Sequence, residues 1–111
     1  MAKVGRFVID PKLGAYCQVT LDDGTKILVN HEKDAQGGRM MVTEKKWWGG
    51  ETFLDVRLDT PEGKAAVAAL TAGAAADSPR ATPLGALVEA LKDCTSLPDV
   101  RARCVAIRAA A

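Results

Sequence analysis

Fifteen basic residues against fourteen acidic ones leave this 111-residue chain a formal net charge of +1. No excess of one sign is available to draw the whole molecule to nucleic acid or to an anionic membrane, so any such attraction must be local. No apolar run approaches bilayer-spanning length, and Met1-Ala2-Lys3-Val4-Gly5-Arg6 leads into a strand-like segment rather than a long apolar signal region. The expectation is a soluble, cytoplasmic protein with no membrane partner. Cysteine is scarce, at Cys17, Cys94 and Cys104, and the three show no CxxC spacing. An odd, unspaced set fits a reducing compartment better than a disulfide framework. Also missing are a phosphate-binding loop, a metal-ligand spacing and a catalytic signature. No cofactor is called for, and the chain reads as a non-enzyme.

What is present points to the α+β class: about five short antiparallel strands in two hairpins, as a curled sheet or small barrel, followed by three C-terminal helices. The length suits a single domain, residues 1–111. It divides into a β-rich part (1–59), a helix (60–75), a linker (76–83) and a helical hairpin (84–111). Residues 4–9 form a first strand that Asp10-Pro11 stops. Cys17, Val19 and Leu21 alternate with polar neighbours before Asp22-Asp23-Gly24, and β-formers resume at Thr25. With Gly24 in the left-handed position closing a three-residue loop, Leu21 pairs with Thr25, Val19 with Ile27 and Cys17 with Val29, which gathers the apolar residues on one face. Residues 31–38, which include His31, read as an exposed connection.

The second hairpin, residues 39–59, carries the most suggestive chemistry. Its tip is Glu44-Lys45-Lys46-Trp47-Trp48-Gly49-Gly50-Glu51. Leu54, Val56 and Leu58 alternate with Phe53, Asp55 and Arg57 and belong to the core. A two-residue Gly49-Gly50 loop would set Glu44 against Asp55 and turn Val42 to the polar face. A loop of Gly49, Gly50 and Glu51 instead pairs Val42 with Leu58, Lys45 with Asp55 and Trp47 with Phe53, and is preferred. A loop from Trp48 to Gly50, pairing Met40 with Leu58 and Val42 with Val56, also keeps Val42 inside.

Thr60-Pro61-Glu62 gives an N-cap, a proline at the first helical position and an acid in the first turn. Ala66, Val67, Leu70 and Ala74 then line one side of a helix. Leu84, Leu87, Val88, Leu91 and Cys94 form the next helical stripe. After Ser96-Leu97-Pro98-Asp99, a third helix turns Val100, Cys104, Ile107 and Ala111 inward.

Lys45, Lys46, Trp47, Trp48 and Phe53 are the candidate binding residues. Indole faces and ammonium groups suit a protein contact, with single-stranded nucleic acid as the alternative and a small enzyme third. The plain structural reading is that a tryptophan covers the core edge while the lysines protect an edge strand. Adjacent strand residues face opposite ways, however, so without a bulge one core cannot bury both tryptophans. Cys94 and Cys104 could bridge two consecutive helices but read as buried free thiols. A zinc site of Cys17, His31, Cys94 and Cys104 lacks prepared spacing. Cys17 with His31 as nucleophile and base, or Glu51 with Asp55 as paired carboxylates, lacks an arrangement that positions a base. Arg101, Arg103 and Arg108 make the last helix basic, with a solvated face as the default.

Overall fold

A computed structural model describes residues 2–110, so Ala111, expected on the inner face of the third helix, lies outside the described residues. Five strands, β1 (Lys3–Asp10), β2 (Gly14–Thr20), β3 (Lys26–Glu32), β4 (Arg39–Glu44) and β5 (Thr52–Arg57), form one open antiparallel sheet in chain order. The helices α1 (Pro61–Thr71), α2 (Pro83–Leu91) and α3 (Leu97–Arg108) follow. The α+β class and the strand count agree with the sequence reading. The sheet is a continuous meander, because β3 also pairs with β4 (Val29 opposite Val42), and it does not close into a barrel. His31, read as part of a loop, lies within β3 opposite Ala15 and Met40. Residues 76–83, read as a linker, contain a 3-10 turn at Pro79–Ala81.

Alternation determines which face is buried. Cys17, Val19, Ile27, Val29, Met40, Val42, Leu54 and Val56 point to one side and are at most 4% exposed. Against them pack Ala66 of α1, Leu84, Leu87, Val88 and Leu91 of α2, Cys94, and Val100, Cys104 and Ile107 of α3. Tyr16, Gln18, Leu28, Asn30 and Met41 occupy the other face, half-buried to exposed. At roughly 25 cal/mol per Å² of apolar surface removed from water, such one-sided burial holds the helix layer on the sheet.

The first hairpin has the expected register, with Val19 opposite Ile27 and Cys17 opposite Val29. Its loop closes through Leu21 N–H to Thr25 O, 2.8 Å, with Gly24 at φ 87°. The second hairpin departs from every register weighed. Met40 faces Val56, Val42 faces Leu54 and Thr43 faces Thr52, so Phe53 sits in a bulge and Leu58 lies beyond the strand. The connection therefore grows to residues 45–51. The reason is tertiary: β3 positions β4 from its other side, and pairing β5 so that Leu54 and Val56 both stand beneath the helices fills the core.

Two helices begin with the same device, Thr60-Pro61-Glu62-Gly63 and Thr82-Pro83-Leu84-Gly85. In each, the threonine hydroxyl accepts the glycine N–H, at 3.1 Å in both. It donates in turn to the carbonyl three residues earlier, Arg57 O at 2.7 Å and Pro79 O at 3.0 Å. A Cβ on either glycine would stand 1.8 Å from Arg57 O or 1.9 Å from Pro79 O. These carbonyls can turn over the helix start only because nothing projects there. α3 begins differently: Ser96 makes no side-chain cap, and the Asp99 carboxylate instead accepts from Thr95 N–H and Thr95 Oγ1.

Candidate functional site

The tip between β4 and β5 is shaped by backbone geometry before any side chain is considered. Glu44 N–H donates to Glu51 O at 2.8 Å and closes the base of the loop, while Lys45 N–H reaches Lys26 O at 2.9 Å and ties the loop to β3. Gly49 N–H bonds Lys46 O with Gly49 at φ 90°, a conformation that disfavours a side chain. At Gly50 a Cβ would approach Glu44 O within 2.6 Å. The two glycines thus serve different ends, one the reversal and the other the close approach.

This turn pushes both tryptophans outward. Trp47 is 91% exposed and Trp48 65%, so neither covers the core edge. Their rings meet edge to face, centroids 5.3 Å apart and planes at 86°, and the Lys46 ammonium lies 5.4 Å from the Trp48 ring centroid. Lys46 also pairs with Glu44 at 3.1 Å, and Lys45 donates to Gln18 Oε1 at 2.6 Å. The expected pairing of Trp47 with Phe53 does not form. Phe53 sits in the bulge, half-buried and packed against the core, beneath the Arg101 guanidinium at 5.8 Å. Of the five candidate residues, Lys45, Lys46, Trp47 and Trp48 are brought together, and Phe53 belongs to the support behind them.

That support includes residues with no signal in the sequence. Arg101 of α3 grips both carboxylate oxygens of Glu51, at 2.9 and 2.7 Å, and holds the Glu51 carboxyl below its usual range. The planar fork of arginine matches a carboxylate bidentately, which fixes direction as well as distance. Fifty residues separate the partners, so only the packing of α3 on β5 makes them neighbours. The other two arginines of α3 are likewise tethers: Arg103 binds Asp93, and Arg108 binds Glu62 of α1 at 2.9 Å. The basic face of this helix is thus occupied by acids of the same chain.

The remaining chemistry is dispersed. The Cys17 thiol donates to Gly5 O at 3.3 Å, while His31 Nε2 is buried with no hydrogen-bond partner among the described residues, so the two do not form a nucleophile and base. Burial pushes the Cys17 thiol above its ordinary value and the His31 imidazole below its own. Glu51 is bound by Arg101 and Asp55 pairs with Arg39 at 3.5 Å, so these carboxylates do not act together. Cys94 and Cys104 are buried and free. Among the described residues no cluster of His, Cys, Asp and Glu could hold a metal ion, and no helix is long and apolar enough to cross a membrane. No protein-family model, no curated protein and no solved structure matches the chain.

Proposed function

We propose that this chain is a non-enzymatic interaction module that docks a protein partner on the Trp47–Trp48 tip. The observation that carries the reading is the exposure of both indoles, 91% and 65%, on a loop braced by Glu51–Arg101, Lys46–Glu44 and Lys45–Gln18. A single exposed aromatic is commonplace. Two adjacent ones on a braced reversal present a large contact area at little ordering cost, the kind of anchor around which interfaces concentrate their energy. A protein is favoured over single-stranded nucleic acid for two reasons. The rings stand perpendicular rather than as successive parallel platforms for bases, and Glu44, paired with Lys46, offsets part of the lysine charge. The three buried free thiols support a reducing, cytoplasmic setting.

The test is capture from lysate with and without nuclease, comparing the native chain with a Trp47→Ala/Trp48→Ala variant, followed by titration of the purified partner at rising salt. Nuclease-resistant capture of one defined protein, lost in the variant and little affected by salt, is expected. Capture abolished by nuclease, with affinity falling steeply as salt rises, would transfer the tip to nucleic acid. Capture unchanged in the variant would remove the tip from function altogether.

A further inference from the structure

The edge opposite the tryptophan tip carries an apolar row that the fold leaves open. Val4, Phe7 and Ile9 stand opposite Val19, Cys17 and Ala15 of β2, and therefore on the helix-bearing face. The helices pack on β2, β3 and β5, however, and these three side chains remain 43%, 40% and 74% exposed. β1 is the longest strand of the sheet, at eight residues, and its outer edge has no partner strand among the described residues. Such an edge is a template for another strand.

The β1 pattern indicates which strand fits. Gly5 and Arg6 both stand opposite Gln18, a bulge that counts as one position along the ladder. Counted so, β1 is symmetric about Phe7. One step away lie the bulge on one side and Val8 on the other, two steps away Val4 and Ile9, and three steps away Lys3 and Asp10. In an antiparallel pair with its dyad at Phe7, Val4 meets the partner's Ile9, and Lys3 meets the partner's Asp10. Apolar thus faces apolar and opposite charges face each other, on the correct sides of the sheet. Residues on one face of a strand also send their backbone groups to the same neighbour, so side chains and hydrogen bonds agree on this register. One Asp10 carboxylate oxygen already accepts from Lys12 N–H and Leu13 N–H, and the other takes part in neither bond.

We infer that β1 is a homotypic docking edge, on which a second copy of this chain pairs antiparallel about Phe7 to make one ten-stranded sheet. An isologous contact of this kind closes at two copies. The bulge and the cations Lys3 and Arg6, which ordinarily discourage edge pairing, here restrict it to a single register.

Sedimentation equilibrium of the full chain over a concentration series tests this, with circular dichroism confirming that each variant folds. A monomer–dimer equilibrium is expected, weakened roughly tenfold or more by Phe7→Lys at its centre. Lys3→Glu and Asp10→Lys chains should each be monomeric alone, because like charges then meet twice. Mixed together they should dimerise, because both contacts become attractive. Mild oxidation should cross-link Phe7→Cys, whose Cα atoms would lie about 4.5–5.5 Å apart across the dyad. Leu13→Cys, 72% exposed but outside the paired stretch, should not cross-link. A native chain monomeric throughout, a charge-swapped mixture that stays monomeric, or equal cross-linking at both cysteines would each overturn the inference. So would loss of dimers in Trp47→Ala/Trp48→Ala, which would make the tip the interface.

Discussion

Replacing Gly63 by alanine sets helix propensity against packing. On propensity alone the change should stabilise α1, since alanine is better than glycine in a helix interior by about 1 kcal/mol. Position 63 is different, because the new Cβ would lie 1.8 Å from Arg57 O and 2.7 Å from Arg57 C, both backbone atoms. Something must retreat by more than an ångström. If the carbonyl moves, the 2.7 Å bond from Thr60 Oγ1 is lost, at about 1 kcal/mol. If the helix start moves, α1 shifts on β5, and overpacking of this kind costs about 1–3 kcal/mol. With the carbonyl bond lost and the helix start shifted together, the cost is about 2–4 kcal/mol, and less the propensity gain it leaves a net destabilisation of about 1–3 kcal/mol. For a chain of this size that lowers the melting temperature by roughly 4–12 °C. The assay is thermal and urea unfolding followed by circular dichroism at the helical band, because both tryptophans are already exposed in the folded state and report weakly. Gly85→Ala, with its Cβ 1.9 Å from Pro79 O, should behave alike. A Gly63→Ala protein as stable as the native chain, or more so, would refute the reasoning and mean that the cap carbonyls yield freely.

Two further outcomes concern titration. Burial pushes the Cys104 thiol from 9.0 up to about 12, so the fold favours its neutral form. The associated stability is complete below pH 9.0 and lost as pH rises from there to about 12, a decline that Cys104→Ala should flatten in urea midpoints measured across that window. His31 has the opposite sense. Burial lowers its value from 6.5, the unfolded chain takes up the proton first, and stability present above pH 6.5 is lost on acidification. His31→Gln should reduce the loss in urea midpoint between pH 7.5 and pH 5, and an unchanged loss would show that other groups cause it.

The elements were legible because each rests on local causes. Alternation of Cys17, Val19 and Leu21, the Asp22-Asp23-Gly24 loop and the Thr60-Pro61 helix start act over a few residues and appear as read, whereas Thr82-Pro83, read as linker, caps and opens α2. The site was legible in part. That no core could bury both tryptophans follows from strand geometry, and exposure of both required the seven-residue connection that the hairpin's local chemistry did not indicate. Phe53 was misplaced for the same reason, since the bulge that turns it toward Arg101 arises from fitting β5 under the helices.

Sequence by itself determined the strands, the helices, their order and the buried faces of β2, β5 and the helices, because side-chain periodicity and turn chemistry are properties of neighbours along the chain. Only the tertiary structure decided the register of β5 against β4, the outward turn of Trp47 and Trp48, and the pairing of Arg101 with Glu51. It likewise decided that the helix layer stops short of β1 and leaves Val4, Phe7 and Ile9 uncovered. Each of these depends on groups distant along the chain competing for the same space, and that competition is settled only when the core packs.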